Sequence, residues 1–96
     1  MSRGKPKSQT RHGRIRLAER LHITGKHAIR NFAYNASTNG VSWANMKDSP
    51  LKDYVRSKSK RHRVKLYHNH IVVMFKNSNR IITVYDIPKE LEQYLV

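Results

Sequence analysis

Tyr67, His70 and Tyr85, together with Arg63, Lys65 and Arg80, are the residues whose types and spacing suit a chemical step. Cleavage of RNA by its own ribose 2′-OH needs a base to take that proton, an acid for the leaving 5′-oxygen and cations to steady the phosphorane charge, with no obligatory metal. Histidine is the side chain whose ordinary pKa lies nearest that work. Strand alternation would bring the three together. The stretches RVKLY (63–67), HIVVMF (70–75) and IITVYDI (81–87) are rich in β-branched and aromatic residues, and turn-forming residues separate them. A two-residue loop at His68-Asn69 sets Tyr67 opposite His70, Leu66 opposite Ile71 and Val64 opposite Val73. A four-residue second loop sets Phe75 opposite Arg80, Val73 opposite Ile82 and Ile71 opposite Val84. These apolar residues make the core face. The other face then carries Arg63, Lys65, Tyr67, His70, Thr83 and Tyr85, interleaved with Val72, Met74 and Ile81, and on it Tyr67, His70 and Tyr85 share one transverse layer. Tyr and His are also ordinary strand formers, and a basic, aromatic sheet face binds nucleic acid without cutting it. Binding is therefore placed ahead of catalysis.

The elements that must hold this layer belong to a small chain. Its 96 residues carry 20 Lys plus Arg against 6 Asp plus Glu, for a formal net charge of +14. A domain of this size buries only about 60–65% of its unfolded surface, so the core is small. The charge points to a polyanion: nucleic acid first, an acidic protein surface second, an anionic membrane third. Cysteine is absent, which excludes a disulfide framework, a thiolate metal site and a Cys nucleophile, and suits a bacterial or viral cytoplasmic setting. The longest apolar run, Ile71 to Phe75, is far short of a membrane span, and no apolar stretch follows the basic N-terminus to make a secretory signal. Carboxylates are scattered and no Gly-rich phosphate loop is present, so carboxylate-metal nucleases, glycosidases and nucleotide hydrolases lack their parts. His68 and His70 are the nearest pair of candidate metal ligands, but a turn separates them and no third donor is close, so no metal or other cofactor is expected.

Residues 1–13 hold Arg3, Lys5, Lys7 and Arg11 with Met1 as the one apolar side chain, and read as a flexible basic arm preceding a single domain over 14–96. From Arg14 to about Ile23 the spacing is helical, with Ile15, Ala18 and Leu21, or Leu17 and Leu21, turned inward. Thr24 suits the N-cap of a second helix with an apolar stripe of Ala28, Ile29, Phe32, Ala33 and Ala36, stopped at Asn39-Gly40 by a left-handed glycine. Trp43 reads as a lid on the core, with base stacking as the alternative. Ser49-Pro50 starts a third helix with Leu51, Tyr54 and Val55 on its apolar face. Pro88 ends the last strand and KELEQYL supplies a short terminal helix. The expected class is α+β, with N-terminal helices packed on a three-stranded antiparallel meander.

The segments RIRLAERLHI, the middle stretch containing Leu51, Lys52, Tyr54, Val55 and Ser57, and YHNHIVVMFKNSNRIITVYDIP resemble a group of small proteins of Firmicutes phages and prophages over residues 14–88. The closing ITVYDIP, with the element order, is also similar to the RelE and BrnT-like toxin fold, whose antiparallel sheet can carry a ribonuclease site. RelE-like nucleases take Arg, Lys, Tyr or His from the sheet and the helix before it, which makes Arg63, Lys65, Tyr67, His70, Arg80 and Tyr85 comparable in type.

Three readings follow. The first is a basic, phage-encoded nucleic-acid-binding protein, RNA ahead of DNA, that uses Arg11, Arg14, Arg16, Arg20, Lys26, Arg30, Arg56, Lys58, Lys60, Arg61, Arg63, Lys65 and Arg80. The second is a metal-independent RelE-like endoribonuclease with Tyr67, His70 and Tyr85 as its catalytic set. The third is a phage accessory protein that binds a host protein or ribonucleoprotein complex as an inhibitor or adaptor. On each reading the setting is the bacterial host cytoplasm and the chain is a monomer or a homodimer, for which the apolar Ile81–Ile87 strand is the pairing edge.

Overall fold

The computed structural model describes residues 11–95. In order along the chain it contains helices α1 (Arg11–Leu21) and α2 (Lys26–Asn39), a 3₁₀ turn (Trp43–Asn45), helix α3 (Pro50–Lys58), strands β1 (Arg63–Tyr67), β2 (His70–Met74) and β3 (Ile81–Asp86), and a 3₁₀ segment (Lys89–Tyr94) where a terminal helix was expected. The class is α+β, with helices followed by a three-stranded antiparallel sheet in the order β1-β2-β3.

Local chemistry accounts for most boundaries. The first helix takes in residues 11–13 that composition assigns to the arm; the rest of the arm, residues 1–10, lies outside the described residues. Of the two candidate stripes the fold uses Leu17, which is fully buried, and leaves Ile15 largely exposed. Gly25 rather than Thr24 precedes α2, at a φ of 92° that favours glycine. Ile29, Phe32, Ala33 and Ala36 form the buried stripe of that helix. Gly40 ends it for a different reason from the left-handed turn expected, since its φ is −70°. A Cβ there would stand 2.4 Å from the Ala36 carbonyl oxygen and 2.8 Å from the Lys65 Cβ, so close approach of backbone to strand demands glycine. Ser49 caps α3 as expected: its Oγ accepts from the Lys52 N–H at 3.2 Å, with Pro50 in the first helical position.

The first hairpin has the expected register, Tyr67 against His70 and Val64 against Val73. His68 and Asn69 both have positive φ, 51° and 59°, the twist a two-residue hairpin loop requires. The second hairpin begins as expected, with the Phe75 N–H donating to the Arg80 carbonyl at 3.1 Å and Met74 opposite Ile81. A bulge then intervenes, and Val73 meets Thr83, Val72 meets Val84 and Ile71 meets Tyr85. One extra residue in β3 exchanges the faces of everything beyond it. Val84 therefore joins the face of Val72 and Met74, while Thr83 and Tyr85 pass to the face of Val73 and Ile71.

Helices cover both faces of the sheet. Leu17, Ile29, Phe32, Ala33 and Ala36 pack with Val72, Met74, Ile81 and Val84 on one side. Leu51 and Val55 pack with Val64, Ile71, Val73 and Ile87 on the other, where Trp43, Met46, Leu91 and Leu95 close the margin. The face expected to be wet and open is therefore the floor of the α1–α2 layer. The outer edge of β1 is partly taken by Val41, which exchanges two backbone hydrogen bonds with Leu66, at 2.9 and 2.8 Å. β3 is the other edge of the sheet.

Candidate nucleic-acid interface

The three residues of the catalytic reading do not converge. Tyr67 and His70 face each other across the first hairpin on the α2 side, whereas the bulge puts Tyr85 on the α3 side. Tyr67 packs against the first core with its ring 5.4 Å from Phe32 and 4.3 Å from His68. The ring nitrogens of His70 already have partners, the His68 carbonyl at 2.8 Å from Nδ1 and Asp86 Oδ1 at 3.3 Å from Nε2. Tyr85 lies beneath the Lys58 ammonium, 4.8 Å from its ring centre. Among the described residues no group of His, Asp and Glu is placed to hold a metal ion.

The cations proposed for binding divide by what they touch. Some are tied into the fold. Arg63 Nη2 reaches Ser37 Oγ at 2.9 Å on α2, Asn79 Oδ1 at 3.0 Å and the Ser78 carbonyl at 3.3 Å, and so fastens both the helix and the β2–β3 loop to β1. Lys65 Nζ donates to Ser42 Oγ at 3.0 Å. Arg20 joins α1 to the end of β3 through Asp86 at 2.6 Å, and Arg16 pairs with Glu19 on its own helix at 2.8 Å. Arg11, Arg14, Lys26 and Arg30 are exposed on the α1–α2 layer, across the sheet from α3.

Arg56, Lys60 and Arg61 are exposed where α3 runs into β1, and none of the described ion pairs falls on them. Ser59 ends the helix: its N–H donates to the Arg56 carbonyl and its Oγ to the Val55 carbonyl, and the chain bends through residues 60–62 into β1, a ridge that carries the three exposed cations. A groove lies on each side. One, of about 550 Å³, is lined by Trp43, Asp53, Arg56, Ser57, Ser59 and Lys60. There the Arg56 guanidinium stands 4.9 Å from the Trp43 ring centre and Lys52 at 6.0 Å. Trp43 packs against the second core as the lid reading expected, while this ring contact puts it beside the cations as well. The second groove, of about 510 Å³, is bordered by Arg61, His62, Phe75, Arg80 and the 76–78 loop. Arg80 lies 4.9 Å from the Phe75 ring centre, and His62 meets that ring edge-on at 6.3 Å. Among the described residues that line the grooves, Asp53 is the one acid.

The fold thus gathers Arg56, Lys60, Arg61 and Arg80 around two aromatic grooves, with Lys58 beside them on α3. Sequence reading missed Phe75, His62 and Lys76. The available signal was an aromatic at a strand end, placed by the hairpin register directly opposite an arginine. Among the described residues no helix is long and apolar enough to cross a membrane. Comparison with protein-family models, curated proteins and solved structures finds no match to this chain.

Proposed function

We propose that this chain binds nucleic acid by seating a phosphate backbone on the ridge formed by Arg56, Lys60 and Arg61. The observation that carries the reading is the exposure of these three cations at one junction, with no ion pair among those described to neutralise them. Cations held this way release the counterions of a polyanion on binding. Aromatic rings on both flanks of the ridge favour RNA over duplex DNA, because RNA loops and ends offer unstacked bases. The cytoplasm of a bacterial host is the setting that accompanies this reading.

Fluorescence anisotropy against a labelled RNA at several salt concentrations tests it. Affinity falls steeply with salt, and Lys60→Ala with Arg61→Ala flattens the slope of log K against log salt by about 0.7 to 1 per cation removed. An unchanged slope in the double variant moves the interface away from the ridge.

A further inference from the structure

We infer that the groove beside Phe75 is a nucleobase slot, so that the preferred ligand is single-stranded, with one base leaving the stack to enter it. The inference rests on the ridge reading above and adds which form of nucleic acid the ridge takes.

The slot is made of the parts that stacking requires. Phe75 directly follows β2 with 36% of its surface exposed, more than a core aromatic retains. The Arg80 guanidinium accompanies the ring at 4.9 Å and the His62 imidazole borders it at 6.3 Å. Aromatic rings and guanidinium planes are the two surfaces on which splayed bases stack. Such a face is useless to a duplex, whose bases are already stacked on one another, and it accepts any base because every base has a π-face. Arg61 and Lys76 on the rim are suited to the phosphate that accompanies the base, and the Asn77 amide and Ser78 hydroxyl offer donors and acceptors to its edge. The volume of about 510 Å³ falls in the range of roughly 300–1,000 Å³ usual for small-ligand sites.

The slot is also held in shape before anything binds. The Arg80 N–H donates to Ser78 Oγ at 3.3 Å within the loop, and Arg63 holds the same loop from below through the Ser78 carbonyl and Asn79 Oδ1. A loop ordered in advance loses less entropy on binding. The tie also explains why a cation inside the basic run is spent on the protein itself: it shapes the groove into which its exposed neighbour Arg61 opens.

The experiment compares Phe75→Leu with the unaltered chain on a single-stranded RNA of about ten nucleotides and on a duplex RNA of the same length, across a salt series. Leucine keeps apolar bulk and removes the stacking face, and circular dichroism with urea unfolding confirms the fold. The unaltered chain prefers the single strand. Phe75→Leu weakens single-strand binding roughly ten-fold, with the salt slope preserved because no phosphate contact is lost. Equal affinity for strand and duplex, or a Phe75→Leu variant that binds the strand as the unaltered chain does, overturns the slot while a steep salt slope leaves the ridge standing. No binding to either RNA at low salt overturns both.

Discussion

Arg61 and Arg63 stand two residues apart in one run of cations, and the fold gives them opposite uses. The junction that carries Arg61 is open on both flanks, whereas β1 at Arg63 is closed beneath α2. Burial decides the difference. An arginine drawn partly out of water must have its donors met, and the half-buried Arg63 shares its Nη2 among Ser37, Ser78 and Asn79, although its Nε is buried without a partner. An arginine left in water needs no internal acceptor and keeps its charge for a ligand. Net charge is therefore a poor count of the cations available to a polyanion, because the same residue type serves the fold in one place and the surface in the other.

The largest test of this division is a pair of single substitutions. Arg63→Ala removes a charged donor from three partners on two elements and is expected to cost about 2–3 kcal/mol, which lowers Tm by roughly 10–20 °C in a domain of this size. Arg61→Ala is expected to stay within about 0.5 kcal/mol of the parent, as surface changes do. Urea unfolding of both variants measures it, and equal losses would erase the distinction. Arg63→Lys is expected to recover little, because an ammonium on a flexible stem cannot reproduce the planar fork.

A smaller effect tests burial from the other direction. The bulge leaves Thr83 only 5% exposed with an Oγ that has no hydrogen-bond partner. A buried hydroxyl without a partner is a cost, so Thr83→Val, which keeps the shape, is expected to raise stability by about 1 kcal/mol. The shift in the urea midpoint measures it. A loss of stability would mean that the hydroxyl is satisfied in solution and that this part of the sheet is wetter than the closed face around Arg63.

The fold was legible where short-range chemistry governs it. Ser49-Pro50, the α2 stripe apart from the exposed Ala28, and the two-residue hairpin all appear where spacing puts them. Two features escaped for identifiable reasons. The bulge beside Met74 leaves no mark in alternation, since Ile81 and Ile82 are equally suited to either face, yet it moved Tyr85 out of the layer of Tyr67 and His70 and dissolved the catalytic arrangement. The covering of both faces did leave a mark: Ile71, Val72, Val73 and Met74 are consecutive apolar residues, all buried, and a continuous run of this kind belongs to a strand packed on both sides. Taken with the three helices that precede it in the chain, that run rules out an open binding face and directs attention to the junction. The candidate site was legible as charge between Arg56 and Lys65, but the grooves were not, because the hairpin register pairs Phe75 with Arg80 without showing that Arg61 and His62 border it, and Trp43 reaches the ridge only through tertiary packing.

The smallest effect concerns a cation between the two regimes. Lys52 pairs with the exposed Asp48 at 2.9 Å while standing 6.0 Å from the Trp43 ring at the ridge. The hydrogen bond and charge of Lys52 hold the Asp48 carboxyl below the usual carboxylate range. A carboxyl whose folded value is depressed adds stability above its unfolded value, near pH 4, and loses it as pH falls through the folded one. Asp48→Asn should therefore melt slightly below the parent at neutral pH, and the gap should narrow as pH falls below the unfolded value. Loss of the carboxylate also releases Lys52 beside Trp43 and makes the chain one unit more positive. RNA binding is then expected to tighten modestly and its salt dependence to steepen, because a cation formerly neutralised within the fold becomes available to phosphate. Unchanged or weaker binding by Asp48→Asn would assign Lys52 to the structural set with Arg63 and Lys65 and draw the boundary of the interface at Arg56.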